Sequence, residues 1–357
     1  MPGLPLTHPG PSIESKVAAL RQPAAYPGNP QTVEVIETHM SWVFLAGPIA
    51  YKLKKPVRYG LLDFTTLQAR CFYCNEELRL NRCLAESVYL DVVALRIDPA
   101  GAMRIGAQGV VADWLVRMHR LPARLMLDRM VEDGVARAGH LREVAARLAA
   151  FYASLPPARV EPGRYLARLG AEIDASEREL CDPAFALEAD EVRGLCAGLR
   201  CVLRRCPDLF RARVVAGRIV EGHGDLRPEH IYLGAPLAII DRLEFSAELR
   251  TLDTADELGF LALECERLGA PELARVLLET YGQLTGDAAA EPVVHFYQSL
   301  RACVRARITI CHLKEPQYRD SPKWPARARQ YLHLAALHLR ACRAALPGNG
   351  ASYPATA

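Results

Sequence analysis

The sequence predicts an α+β protein in two parts: a small antiparallel sheet carrying one helix, then a mainly helical half. Three observations carry this expectation. Residues 33–57 alternate apolar and polar side chains through three runs separated by turn residues. Residues 65–84 change to helical periodicity. Beyond about residue 123 the apolar positions recur at three- and four-residue spacing, and the only stretch with β character is "HGDLRPEHIYLGAPLAIID", 223–241.

Residues 1–30 are rich in proline and small residues, with one helical turn expected around Ile13–Arg21 and the first dozen residues expected to be poorly ordered. "VEVIETHM" from Val33, "SWVFLAG" and, after a Gly-Pro turn, "AYKLKKPV" read as three consecutive antiparallel strands. In "TTLQARCFYCNEELRLNRCL" helical spacing puts Leu67, Cys71, Cys74, Leu78 and Leu84 near one stripe. "VYLDVVALRI" and "GVVADWLVRM" supply two further strands. The chain then turns helical. Leu141, Val144, Ala145, Leu148, Phe151, Tyr152 and Leu155 share one face of a long helix. Helices are expected near 188–206, 254–268 (stopped by Gly269), 271–284, through "FYQSLRACVRARITICHL", and from about 324 to 344. The chain divides accordingly into an extension over 1–30, a sheet part over 31–116, a linking segment over 117–122, a helical part over 123–346 and a loose tail over 347–357.

Composition excludes several classes of function. With 44 Lys and Arg against 41 Asp and Glu, the net charge over 357 residues is +3, and no basic arm for nucleic acid stands out. No uninterrupted apolar run approaches the roughly 18 residues of a membrane span, and the first 30 residues lack the pattern of a secretory leader. A cytoplasmic protein is expected. The eleven cysteines fit that compartment as reduced, mostly buried thiols; Cys71 and Cys74 form a lone C-x-x-C without the second pair that a zinc site requires.

The stretch at 223–241 carries the chemistry. "HIYL" and "LAIID", joined by "GAP", pair as a small hairpin, which brings residue 230 close to residue 241 and hangs Asp225 over the same spot. Two carboxylates and an imidazole gathered at a loop edge suit phosphoryl transfer. One carboxylate takes the proton of an attacking hydroxyl and another holds the magnesium that bridges the phosphates. Position and charge then supply most of the rate.

In these residues the chain resembles the aminoglycoside phosphotransferases and their protein-kinase-like relatives. It is more closely similar to a bacterial group of uncharacterised aminoglycoside-phosphotransferase-like proteins. "ETHMSWVFLAG", "AYKLKKPV", "EELRLNRCL", "HRLPARLMLD" and the 223–241 stretch occur in that group's order and span roughly residues 33–270. The resemblance implies a protein-kinase-like two-lobed fold, ATP and Mg2+ as cofactors, and a small hydroxyl-bearing molecule as acceptor. By it, Asp225 matches the catalytic aspartate, supported by His223, and Asp241 the magnesium-binding aspartate. Lys52 matches the strand lysine that grips the phosphates and Glu77 the glutamate that pairs with it. The loop Thr38–Ser41 would cover the phosphates, and Arg117, Met118 and His119, leading to Arg120, would form the hinge that meets adenine.

Plainer readings stand beside these roles. Lys52 and Lys54 share a strand face, and either suits a phosphate; "AYK" favours Lys52. Glu77 next to Glu76 suits a solvated helix face as well as an internal ion pair. His223 suits holding the loop around Asp225 better than direct chemistry, and Asp253 and Glu257 suit tethering that loop or capping the following helix. Arg301 and Arg305 suit either the acceptor cleft or surface ion pairs. Two departures stand out. "ETHMS" lacks the glycines of a kinase phosphate loop, leaving backbone amides and the Thr38 or Ser41 hydroxyl. His230 occupies the position of a metal-binding asparagine, although magnesium prefers oxygen ligands. That second departure keeps open a nucleotide-binding pseudokinase. A protein kinase is disfavoured because Asp241 is followed by Arg-Leu-Glu, without a D-F-G or A-P-E frame. Many members of the resembling group carry a fused P-loop kinase domain. No G-x-x-x-x-G-K-[ST] occurs in this chain, so a separate P-loop kinase partner is a further expectation. No acidic cluster for an aminoglycoside can be placed.

Overall fold

The computed structural model describes residues 10–59, 62–315 and 318–346. The expected loose tail at 347–357, and most of the expected disorder in the first dozen residues, lie outside that range. In chain order the strands are β1 Val33–Glu37, β2 Ser41–Ala46, β3 Ile49–Lys54, β4 Arg58–Tyr59, β5 Leu62–Asp63, β6 Tyr89–Ile97, β7 Met103–Ile105, β8 Val110–His119, β9 Ile219–Glu221, β10 Ile231–Tyr232, β11 Ala238–Ile239 and β12 Thr251–Asp253. The helices are α1 Ile13–Leu20, α2 Leu67–Ala85, α3 Leu127–Glu132, α4 Ala138–Ala153, α5 Pro162–Leu180, α6 Ala189–Arg205 and α7 Pro207–Val215, then α8 Ala247–Arg250, α9 Thr254–Arg267, α10 Pro271–Thr285, α11 Glu291–Cys311 and α12 Lys323–Ala344. They form two units. The first runs to Leu125 and includes Ile231–Ala247; the second comprises Met126–His230 and the chain from Glu248.

The first unit is a six-stranded sheet in the order β1-β2-β3-β8-β6-β7, antiparallel throughout. Strand alternation decides what β3 does. Tyr51 and Leu53 face a core shared with Leu20, Ala25 and Tyr26 from the N-terminal segment. Ala50 points to the opposite face, where Cys74, Ala85 and Val116 pack. Lys52 and Lys54, in phase with Ala50, point there too. Helix α2, capped by the Thr66 hydroxyl, lies over that face.

The buried stripe of α2 is not the apolar one expected from spacing. It consists of Arg70, Cys74, Glu77, Leu80, Asn81, Leu84 and Ala85, while Leu67 and Leu78 are only partly covered and Cys71 is half-buried. Buried polar groups must find partners, and these do. Arg70 grips Asp113 of β8 through Nε at 2.8 Å and Nη2 at 2.9 Å, and Lys16 of α1 reaches the same carboxylate at 2.8 Å.

The second unit is helical, with a core in which Leu169 and Ile173 of α5, Leu199 of α6, Phe260 of α9, Phe296 and Cys303 of α11 and Tyr331 of α12 meet. The helices expected near 188–206, 254–268, 271–284 and 324–344 occur within a residue or two of those bounds, whereas α5 and α7 carry no expectation from the sequence. Among the described residues, no helix is long and apolar enough to cross a membrane. The hairpin in 223–241 is shorter than expected. Residues 228–230 form a 3-10 turn, and only Ile231–Tyr232 pairs with Ala238–Ile239.

Candidate functional site

The sequence-selected residues fall into two groups, one in each unit. In the first unit Lys52, on the α2 face of β3, places Nζ 2.6 Å from Asp241 Oδ1 and 2.9 Å from Glu77 Oε1. Glu77 is fully buried. Burial would raise its carboxyl pKa, but the ammonium groups of Lys52 and Lys54 draw it below the usual value. Burial likewise opposes the charged form of Lys52, and Asp241, Glu77 and Glu244 outweigh it, holding the lysine charged.

Lys54 lies one pleat further on and is more deeply enclosed, with its side chain 1% exposed against 14% for Lys52. Its Nζ sits 2.5 Å from Glu77 Oε2, bonds Glu244 and lies 5.0 Å from the centre of the Phe64 ring. Both lysines thus share Glu77, one on each oxygen. They differ in the second acid: Asp241, 43% exposed, for Lys52, and Glu244, 9% exposed, for Lys54. Burial pushes the Glu244 carboxyl pKa up.

Asp241 is held in place by its backbone. It adopts φ +63°, a left-handed conformation rare outside glycine, asparagine and aspartate. Its N–H donates to the Tyr89 hydroxyl at 3.1 Å. Next to it the Arg242 N–H donates to Asn81 Oδ1 at 2.8 Å, and Asn81 Nδ2 donates to the carbonyls of Glu77 and Arg242 at 2.9 and 3.3 Å. One turn of α2 therefore fixes both the glutamate and the aspartate-bearing segment.

The loop Thr38–Ser41 joins β1 to β2 and uses its own polar groups. The Thr38 N–H and hydroxyl both donate to the Ser41 carbonyl, at 2.8 and 3.0 Å, and the Ser41 N–H donates to the Thr38 hydroxyl at 3.0 Å. Ser41 is buried. The residues expected as a hinge, Arg117, Met118 and His119, are the last three of strand β8. Arg117 forms a paired contact with Asp91 at 2.8 and 2.6 Å, Met118 packs under α2, and His119 is exposed.

In the second unit the loop after β9 is built around Glu257 of α9. This buried carboxylate accepts the His223 N–H at 2.9 Å, the Gly224 N–H at 2.5 Å and the Tyr152 hydroxyl at 2.7 Å. Gly222 is required beside it, since a Cβ there would lie 2.5 Å from Glu257 Oε2. Gly224 at φ +92° turns the chain and leaves Asp225 29% exposed. The His223 imidazole accepts the Asp225 N–H at 3.3 Å through Nδ1, so it braces the loop. Burial would raise the Asp225 pKa; Arg227, His230, Arg305 and His223 together hold it below the usual carboxylate value. Asp225 is therefore an ionised acceptor at neutral pH.

His230, expected at a metal position, has both ring nitrogens engaged inside this loop. Nδ1 meets the Asp225 carbonyl at 2.8 Å and Nε2 meets the Arg227 guanidinium at 3.3 Å. A carbonyl can only accept and a guanidinium only donate, so both contacts tie the ring to its own loop. The ring thus holds the loop through both nitrogens. Asp253 caps α9 through the Ala255 N–H and pairs with Arg213. Arg301 is bound by Asp256 at 2.6 and 2.7 Å.

Sequence reasoning missed Glu244, Tyr89 and Asn81. An "I-I-D-R-L-E" run offers no local signal that its glutamate returns to a strand lysine. The E-x-x-x-N spacing of Glu77 and Asn81, one helical turn apart, was such a signal for the asparagine.

No family model matches the chain. Uncharacterised proteins of Mycobacterium tuberculosis and Mycobacterium bovis are each 34% identical to it over 341 residues, covering 90% of this chain and 64% of theirs. The chain thus spans just under two thirds of the length of the curated relatives it matches. Among solved structures, a choline/ethanolamine kinase family protein from Mesorhizobium loti superposes with a TM-score of 0.54 at 19% identity, covering 92% of this chain and 99% of that one. A choline kinase from Cryptosporidium parvum gives 0.51 at 12% identity, covering 94% and 97%. A thermostable mutant of an aminoglycoside phosphotransferase, solved as a ternary complex with ADP and hygromycin B, gives 0.50 at 10% identity, covering 91% and 99%. These likenesses show the fold: the chain has the α+β architecture of the choline kinases and aminoglycoside phosphotransferases.

Proposed function

We propose that the chain is an ATP-dependent phosphotransferase that phosphorylates a hydroxyl of a small molecule. The observation that carries this reading is Lys52 held between Glu77 and Asp241. A surface-strand lysine needs neither acid. A lysine that must present a charged ammonium to phosphates needs a buried glutamate to fix it, and an acid beside it suits a cation. The fold is shared with kinases of small molecules, one of them solved with ADP.

In this reading Lys52 binds the phosphates of ATP and Glu77 orients it. Asp241, a half-exposed carboxylate, offers the oxygen that magnesium prefers. Bound magnesium would neutralise charge on the phosphates. Asp225 takes the proton as the acceptor oxygen forms its bond to the γ-phosphorus and the bond from that phosphorus to the β-bridging oxygen breaks; ADP leaves, and the proton passes from Asp225 to solvent. His223, His230 and Glu257 position Asp225. Thr38 contributes a preformed turn rather than a free hydroxyl.

The test is turnover of ATP with magnesium in the wild type and in Asp225→Ala. Loss of acceptor phosphorylation by at least two orders of magnitude is expected, and equal rates refute the reading. The engagement of His230 within its own loop favours one alternative, a nucleotide-binding module without catalysis. That alternative predicts thermal stabilisation by ATP, no transfer to any acceptor, and a silent Asp225→Ala.

A further inference from the structure

Helices α9 and α11 face each other across a ladder of charges and rings, all in the second unit. Arg301 binds Asp256 through both Nε and Nη2 and lies 5.3 Å from the centre of the Phe260 ring. Arg305, one turn further along α11, lies 6.0 Å from the same ring and 5.9 Å from that of Tyr331. Its nearest carboxylate oxygen, on Glu264, is 3.9 Å from Nε. That glutamate already accepts the Tyr331 hydroxyl at 2.7 Å and Arg267 Nε at 2.7 Å. Among the described residues Arg305 makes no hydrogen bond, although its Nε is buried and its side chain is only 17% exposed. It is near enough to Asp225 for its charge to help hold that carboxyl ionised.

The surroundings decide what such a group can take. A cationic acceptor is held by free carboxylates or by open aromatic faces. Here neither is free. Asp225 and Glu229 are both bound by Arg227, Glu264 by Tyr331 and Arg267, and Asp256 by Arg301. Phe260 and Tyr331 already carry guanidinium groups of this chain. What remains without a hydrogen bond is the partly enclosed Arg305 guanidinium, whose planar fork matches a carboxylate or phosphate.

We propose that the acceptor is a hydroxyl compound bearing an anionic group, a carboxylate or a phosphate, which Arg305 binds while its hydroxyl is presented to Asp225. This rests on the phosphotransferase reading and narrows it. A cationic alcohol, such as choline or an aminoglycoside, is then disfavoured by charge.

The test compares three sets of acceptors with magnesium and ATP: hydroxy acids and sugar phosphates, the matching neutral polyols and sugars, and choline, ethanolamine and hygromycin B. Transfer to an anionic member is expected. In Arg305→Gln the ratio of kcat/KM for that anionic acceptor over its neutral counterpart should fall at least tenfold, with Arg305→Lys intermediate. Preference for a cationic or neutral acceptor, or an unchanged ratio in Arg305→Gln, overturns the proposal. The hydroxy-acid and sugar-phosphate arms distinguish carboxylate from phosphate. Calorimetric titration with the same anionic compounds separates this inference from the reading beneath it. Binding that is lost in Arg305→Gln upholds anion recognition even where no phosphate is transferred, and absence of any anion binding overturns it.

Discussion

Lys52 and Lys54 stand two residues apart on one strand face and share one glutamate, yet in the proposed reading they do different work. Replacing Lys54 by Met leaves Glu77 and Glu244, which are 0% and 9% exposed, to share what remains of the positive charge. Breaking a buried pair from one side costs about 3–5 kcal/mol, because a charge stays behind in a poor solvent. Replacing Lys52 by Met leaves Glu77 still 2.5 Å from Lys54, and it leaves Asp241, 43% exposed, to water. That change should cost only about 1 kcal/mol, because Glu77 keeps one of its two cations and Asp241 is left to water. Urea unfolding at pH 7, followed by the fluorescence of Trp42 and Trp114 in the sheet, should therefore place Lys54→Met about 2–4 kcal/mol below Lys52→Met. Adding Glu244→Gln to Lys54→Met removes the stranded charge and should recover about half of the loss or more. Activity should sort the other way, with Lys52→Met abolishing ATP-dependent transfer. A Lys52→Met protein as destabilised as Lys54→Met, or a double variant no more stable than the single one, refutes the division of labour.

Three further outcomes are expected. Asp241→Asn keeps a residue type that tolerates φ +63° and should stay within about 1 kcal/mol of the parent in stability. Asp241→Ala should lose about 1–2 kcal/mol, and both should lose the thermal stabilisation conferred by magnesium and ATP. Glu257→Gln takes a charged acceptor from three donors, so hydrogen exchange at the His223 and Gly224 amides should accelerate at least tenfold while far-ultraviolet circular dichroism is unchanged. The Glu77 carboxyl is held below its unfolded value of about 4.3, so its contribution to stability is complete above that pH and is lost as pH falls through the folded value. Glu77→Gln should therefore flatten the acid side of the stability profile below pH ~5, measured by urea midpoints.

The sheet and most of the long helices were legible because alternation and three-to-four spacing report which side chains face a core. Periodicity failed where the buried face is polar. On α2 the residues turned inward include Arg70, Glu77 and Asn81, which spacing assigns to solvent, and the partners that make their burial tolerable, Asp113 and Lys54, lie elsewhere in the chain. Helix α5 escaped notice for a related reason. Its buried positions, Tyr165, Leu169, Ile173, Ser176 and Leu180, form a stripe one residue wide with a serine in it. Asp225 and Asp241 were legible through their motif, and Glu257 through its place after it. Glu244 was not, because the contact that defines it spans 190 positions of chain. Arg117 and Met118 were legible as the end of the strand in "GVVADWLVRM", and only His119 lies beyond it. Pairing with Tyr51 and Asp91 holds Arg117 in the strand.

The first strand is not where this protein begins to matter. Lys16 on α1 supplies one of the two cations on Asp113, and Tyr26, whose ring centre lies 5.1 Å from that of Tyr51, closes one face of the sheet. A version trimmed back to residue 30 would bare Phe44, Tyr51 and Leu53 to water and leave a sealed carboxylate half answered. Anyone shortening the chain to a tidy catalytic fragment should expect a sticky product, and should keep everything from Ser12 onward.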